Sequence, residues 1–162
     1  FMGDSADLLA TYATFLTDPG SEVDLLVNEC QRAVVEEAFE VSRVIPQWQM
    51  LYQGDPETLS PERAVQLADN DYAAVKSLAR PEGFSLCSYS QEPFMHGPAY
   101  GVWERRRLVA MGTTALCVPG AAQIDNVLTH SDYRRRGHGS AVVRALVAAH
   151  HEEGRHAFSV FE

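Results

Sequence analysis

Val127-Leu128-Thr129-His130-Ser131-Asp132-Tyr133-Arg134-Arg135-Arg136-Gly137-His138-Gly139-Ser140 puts a strand end, a short polar loop, Arg-x-x-Gly-x-Gly and a helix start in one run of chain. Beyond it Val142, Val143, Leu146 and Val147 recur on one helical face, and Gly154 closes the segment. The order describes an anion site. The first turn of a helix carries unpaired N–H groups and about half a positive charge. Gly137 and Gly139 let a phosphate approach the backbone without meeting a β-carbon. Each such contact contributes ~0.3–1 kcal/mol when exposed and up to ~2 when partly buried. Several amides can therefore anchor a diphosphate but cannot choose what it is attached to.

Working upstream, residues 99–103 and 108–118 read as strands around Glu104-Arg105-Arg106-Arg107, a hairpin turn without the Asn-Gly signal. Pro119-Gly120 ends the second arm, and residues 122–129 form the next strand. Downstream of the helix, residues 156–162 are strand-like again, with Phe158, Val160 and Phe161 apolar on both faces. Residues 84–89 suggest one further short strand. The front of the chain reads as helical. Ser5 caps a segment ended by Asp18-Pro19-Gly20, and Ser21 opens a second in which Val23, Leu26, Val27, Cys30, Val34, Ala38 and Val41 recur until Pro46. Residues 47–59 read as a connector, Ser60-Pro61-Glu62 as another helix start carrying Ala64, Val65, Leu67 and Ala68, and residues 72–78 as a short helix.

Phosphate folds of other kinds fit poorly. Gly-x-x-x-x-Gly-Lys-Ser/Thr is absent, which excludes a P-loop, and the glycine spacing and preceding meander do not suit a dinucleotide fold. No Gly-x-Ser-x-Gly or Cys/His pairing suggests a hydrolase. Residues 1–82 hold 15 Asp/Glu against 5 Lys/Arg, and residues 83–162 hold 7 against 8, which together account for the net charge of −9. An acidic front half argues against nucleic-acid binding, and the near-neutral second half with its arginine cluster can receive an anionic ligand. No apolar run approaches the ~20 residues of a membrane helix, so no membrane partner is expected. Cys30, Cys87 and Cys117 are odd in number and far apart, which suits a reducing cytoplasm and suggests buried free thiols. His150-His151-Glu152-Glu153 is read as a solvated helix end, and no metal site is expected.

Arg134-x-x-Gly137-x-Gly139 after a strand resembles the coenzyme-binding motif of the GNAT acetyltransferase superfamily. The run from Gly97 to Glu104, then Leu108 to Thr114, looks like that family's central hairpin. The likeness covers residues 84–162; the front helices resemble the extension of one bacterial subgroup. It implies an α+β fold, the GNAT-like acyl-CoA N-acyltransferase fold, with a mostly antiparallel sheet flanked by helices. Residues 3–80 are then an acidic helical N-terminal region and residues 81–162 the GNAT core, whose C-terminal elements would be absent.

The resemblance also implies roles. Acetyl-CoA would be the co-substrate and an amine of a small molecule or peptide the acceptor, with direct attack and no covalent enzyme intermediate. Backbone groups of Val127, Leu128 and Thr129 would pair with the pantetheine arm, and an N–H near Leu128 would polarise the thioester carbonyl. Arg134, Arg135, Arg136, Gly137, His138, Gly139 and Ser140 would surround the pyrophosphate. The arm would enter where the strands at 122–129 and 156–162 splay apart. The family's glutamate base falls at Gln123, which cannot take a proton; Asp125, two residues on, and His130, at the strand end, are the substitutes. Each also has a structural reading, Asp125 as a cap and His130 as a loop-positioning hydrogen bonder. The alternative function is a non-catalytic relic that binds CoA or a protein. If the last strand is left as an edge, a homodimer through it is expected.

Overall fold

The computed structural model describes residues 25, 27, 29–55, 58–59, 63–83, 94 and 96–161. The chain divides into two compact units, Phe1–Pro46 and Gln47–Glu162. The expected helix from Ser5, the cap at Ser60-Pro61-Glu62, the strand at 84–89 and Cys87 lie outside the described residues.

In the first unit a 3-10 turn, Glu29–Gln31, leads into α1, Arg32–Ala38. This helix stops at Phe39, whose backbone is extended, not at Pro46 as the periodicity predicts. No α1 residue is buried, and Val41, Val44 and Ile45 beyond it are β-branched and exposed. A short helix without a packed face is marginal, and β-branched residues do not extend it. Arg32 donates from Nε to Glu36 Oε1 at 2.7 Å along the exposed face.

Among the described residues the second unit contains one six-stranded sheet. Its strands are β1 (Trp48–Leu51), β2 (Val65–Gln66), β3 (Tyr100–Glu104), β4 (Arg107–Val118), β5 (Ala121–Thr129) and β6 (His156–Phe161), in the spatial order β1-β6-β5-β4-β3-β2. Every pairing is antiparallel except β5 with β6, which the crossover helix α3 (His138–Glu152) joins in parallel. Helix α2, Tyr72–Ala79, runs as the sequence suggests. Val75 and Leu78 of α2 pack with Leu67, Leu108, Met111 and Leu128 on one side of the sheet. Val142, Leu146 and Val147 of α3 pack with Val102, Val109, Ile124 and Ala157 on the other. Helices on both faces of a mostly antiparallel sheet match the α+β expectation. No described helix is long and apolar enough to cross a membrane.

The β3–β4 turn is tighter than the four residues expected, because Glu104 pairs with Arg107 and leaves Arg105 and Arg106 at φ +48° and +68°. Two left-handed residues make the turn whose twist suits a two-residue hairpin, here without the glycine that would relieve it.

Two strands replace segments expected to be otherwise. Residues 64–68 are not helical: Val65 pairs with Gly101, and Leu67 N donates to Ala99 O at 2.8 Å. Gly101 permits this, since a Cβ there would stand 2.9 Å from Leu67 Cδ2 and 2.5 Å from Leu108 Cδ1. In the expected connector, Trp48 pairs with Phe161 and Leu51 with Phe158. Strand β6 therefore has neighbours on both sides, as its two apolar faces suggest, and is not the sheet edge. The homodimer expected through it loses its stated basis. The edge on that side is β1, where Trp48 is 70% exposed.

The thiol and histidine expectations change too. Cys30 is exposed and Cys117 half-buried, so neither is a core thiol. His150 is not solvated but fully buried at the end of α3. Thr114 Oγ1 donates to Pro98 O at 2.8 Å, so its one proton is used, and His150 Nε2, 2.9 Å away, is the donor to Thr114. Among the described residues Nδ1 has no hydrogen-bond partner. Burial, and secondarily the Arg155 charge, hold the ring below the usual histidine range. A folded-state value below that of the unfolded chain means stability complete above the unfolded value of about 6.5 and lost as pH falls towards the folded one. Thermal melts should show that acid loss, and His150→Gln, which keeps a donor but takes no proton, should flatten it. An unchanged acid limb in the variant would exclude His150 as its source.

Candidate functional site

Strand β5 ends at Thr129 and passes through His130 and a 3-10 turn, Ser131–Tyr133, into residues 134–137. Arg135 and Gly137 have φ of +64° and +81°, and these left-handed residues turn the backbone into α3. Gly137 is the N-cap and offers no side chain; the first helical bond is Ala141 N to Gly137 O at 2.9 Å. The N–H groups of His138, Gly139 and Ser140 are therefore left without intrahelical partners. They sit at the positive end of a 15-residue helix with no acidic residue in its first turn. A depression of about 240 Å³ is lined by Thr129, Arg134, Arg135, Gly137, His138, Gly139 and Ser140. A Cβ on Gly137 would meet nothing within 4 Å, and one on Gly139 would come 3.2 Å from Thr129 Oγ1. The space above the first turn is open, as a bound diphosphate requires.

Beside this mouth the sheet splits. Strand β6 pairs with β5 only at Ala121, Ala122 and Gln123, and among the described residues 124–129 have no partner on that side. An extended polar arm could take that free edge. Within the split stretch β5 bulges. Asn126 has φ +53°, and the β4–β5 register shifts between Met111 and Thr113. Asp125 Oδ1 accepts from Asn126 N at 2.7 Å, and Asn126 Nδ2 donates to Thr113 Oγ1 at 2.9 Å. The inserted residue breaks the two-residue alternation. Ile124 packs on the α3 side, whereas Leu128 packs on the α2 side.

The predicted site residues are brought together unequally. Val127 is exposed on the free stretch, Thr129 is half-buried, and Leu128 turns its side chain into the core while its backbone stays on the strand. Gln123 and Asp125 share the face opposite Ala122 and Ile124; Asp125 is half-buried, with one carboxylate oxygen on the Asn126 amide. His130 is committed to the loop. Its Nε2 lies 2.6 Å from Arg107 Nη2 and its Nδ1 3.2 Å from Asp132 N. One neutral ring cannot accept at both nitrogens; a guanidinium only donates, so the shorter contact takes Nε2.

Of the three arginines, Arg134 and Arg135 line the depression and Arg136 does not. Arg134 donates from Nε to Thr129 O at 3.0 Å and from Nη2 to Glu82 Oε2 at 2.7 Å. Arg136 lies 5.2 Å from the Tyr133 ring centroid and donates to Asp132 O at 3.1 Å. The His138 ring is 4% exposed, with neither nitrogen hydrogen-bonded among the described residues and Nε2 3.9 Å from Glu104 Oε1.

Glu82 carries no sequence signal. It stands in the acidic half, in no motif, yet its side chain is 8% exposed and Oε1 accepts from both Ser131 N and Ser131 Oγ at 2.8 Å. Those bonds, backbone amide first and hydroxyl second, with Arg134 adding its charge, hold the carboxyl below the usual range. Among the described residues, no group of three His, Cys, Asp or Glu is placed to hold a metal ion.

Residues 62–161 match the Acetyltransferase (GNAT) family. Among solved structures, the chain is similar to a GNAT-family protein from Novosphingobium aromaticivorans, at 25% identity and a TM-score of 0.65, over 75% of this chain and 54% of that one. It is also similar to a GCN5-related N-acetyltransferase from Kribbella flavida, at 17% identity and a TM-score of 0.58, over 83% and 55%. The second likeness shows the fold alone. The chain spans about half the length of these structures. No curated protein matches it.

Proposed function

This chain belongs to the GNAT acetyltransferase family, and we propose that it moves an acetyl group from acetyl-CoA to an amine of a small molecule or peptide by direct attack. One observation carries the reading: the uncapped first turn of α3 opens on a depression beside the unpaired stretch of β5. The amides of His138, Gly139 and Ser140 hold the pyrophosphate, and main-chain groups of Val127 to Thr129 pair with the pantetheine arm. The Asn126 bulge reorients the backbone just before Leu128, whose N–H polarises the thioester carbonyl.

An alkyl ammonium has a pKa of about 10, so a base must free the attacking lone pair. The nitrogen then bonds to the carbonyl carbon and sheds its second proton to water, the carbon–sulfur bond breaks, and the departing thiolate takes a proton from water. Asp125 is the base we assign, directly or through one water, using the oxygen not held by Asn126. His130, with Nε2 engaged by Arg107, is a positioning group in this reading.

A second reading, binding without turnover, is favoured by Gln123 at the family's glutamate position and by the use of one Asp125 oxygen in the bulge. Two measurements separate them. Acetyl-CoA at about 100 times its Kd should stabilise the fold by about 2.7 kcal/mol in a thermal shift. Thiol release across an amine panel should then appear with the wild type and fall at least tenfold in Asp125→Asn, with the thermal shift retained. No shift at millimolar acetyl-CoA would end both readings; a shift without thiol release would leave the second.

A further inference from the structure

We propose that Glu82 is the positioning residue that sets the phosphate-binding loop for the coenzyme, an inference that rests on the acetyl-CoA reading above. Glu82 ends the 3-10 turn Arg80–Glu82, which continues directly from α2. Helix α2 is anchored by Val75 and Leu78, 1% and 2% exposed, in the core against β4. The carboxylate thus stands on a fixed support, and Gly83, at φ +66°, turns the chain away immediately after it.

From that support one side chain reaches across to the connection between β5 and α3. Oε1 receives the amide and hydroxyl of Ser131 at 2.8 Å each, and Oε2 receives Arg134 Nη2 at 2.7 Å. Arg134 in turn holds Thr129 O through Nε at 3.0 Å. Ser131, at the start of the turn, and Arg134, just after it, are thereby tied to one carboxylate, and Thr129, before it, is tied through Arg134. Beyond that turn come the left-handed Arg135, the left-handed Gly137 and the open amides. The turn holds itself through Tyr133 N to His130 O at 2.9 Å, and α3 is seated by its own core contacts, so the Glu82 clamp fixes the connection between them to α2 and sets how its two left-handed residues deliver the first-turn amides.

The charges around the clamp give it a second consequence. Arg134 is neutralised by Glu82 at 2.7 Å and already bonded to Thr129, so it serves the loop rather than the ligand. His130 Nδ1, 3.9 Å from Glu82 Oε1, and Arg107 behind the same ring extend the network to the β3–β4 hairpin. Asp132, whose carboxylate is 3.8 Å from the same nitrogen, is 78% exposed and screened by water.

The test is calorimetry of the full chain with free coenzyme A, alongside acetylation kinetics. Glu82→Ala should raise the Kd about tenfold, as loss of charge-assisted bonds predicts. Glu82→Gln, which keeps an oxygen for Ser131, should recover most of that loss. In kinetics the KM for acetyl-CoA should rise while the acceptor KM holds, a split that general destabilisation does not produce. An unchanged Kd in Glu82→Ala would overturn the proposal. A tighter Kd would overturn it in favour of an Arg134 cation masked by Glu82. If the alanine variant does not fold, Glu82→Asp decides: it keeps the charge but draws it back by one carbon, and wild-type affinity there overturns positioning. A wild type that binds no coenzyme A removes the acetyl-CoA reading itself, and this inference with it.

Discussion

Gly137→Glu is expected to abolish coenzyme A binding, raising the Kd more than a hundredfold by calorimetry. Two effects act together. A side chain at φ +81° is strained by roughly 1–2 kcal/mol, although an added Cβ would meet nothing within 4 Å. The larger effect is electrostatic. The new carboxylate lies at the mouth formed by the His138, Gly139 and Ser140 amides, where it competes for the helix end and repels phosphate. The free protein should stay folded, since a carboxylate at a helix N-terminus is itself favourable and offsets part of the strain. Gly137→Asn separates the effects, because asparagine tolerates the left-handed conformation without adding charge. It should keep most of the affinity. Unchanged affinity in Gly137→Glu would place the diphosphate elsewhere.

Leu146→Ala should be the most damaging substitution to the fold among those that leave the mouth untouched. Leu146 is 0% exposed, in the cluster that seats α3 on the sheet. Its Cδ1 would stand only 3.0 Å from a Cβ on Gly112, so this leucine lies directly on the β4 backbone. Truncation leaves a cavity that cannot close and costs about 2–5 kcal/mol. A chain of this size should then melt roughly 10 °C lower. Urea denaturation measures the loss directly, and a change below about 1 kcal/mol would mean that α3 is not held by this contact. Because the helix carries the open amides, saturating coenzyme should restore part of the lost stability through linkage.

The glycine-bounded connection into α3 is legible in the sequence because its signals are local. Gly137 and Gly139, the apolar stripe of α3 and the cap at Gly154 all act within a few residues of where they stand. The strands 100–104, 107–118 and 121–129 are legible for the same reason, since their turns lie between neighbours in the chain. The β1 and β2 strands are not. Residues 48–51 and 65–66 are extended because β6 and β3 offer them hydrogen-bonding edges, and nothing in their own composition outweighs a connector or a helix. The Asn126 bulge is equally hidden. An asparagine in a strand reads as a weak strand residue until Thr113 and Asp125 are seen to hold it.

Local chemistry along the chain was thus enough to set the order of the core elements, the crossover through α3, and the glycine-bounded helix start that can hold an anion. Packing between distant segments decided the rest: that β6 is covered by β1, that Arg134 bonds Glu82, and that His150 is buried against Thr114. A cap or turn is satisfied by atoms a few residues away, so its partners are written beside it. A carboxylate 49 residues from its partner acquires that partner only when α2 settles against the sheet and brings the two segments together.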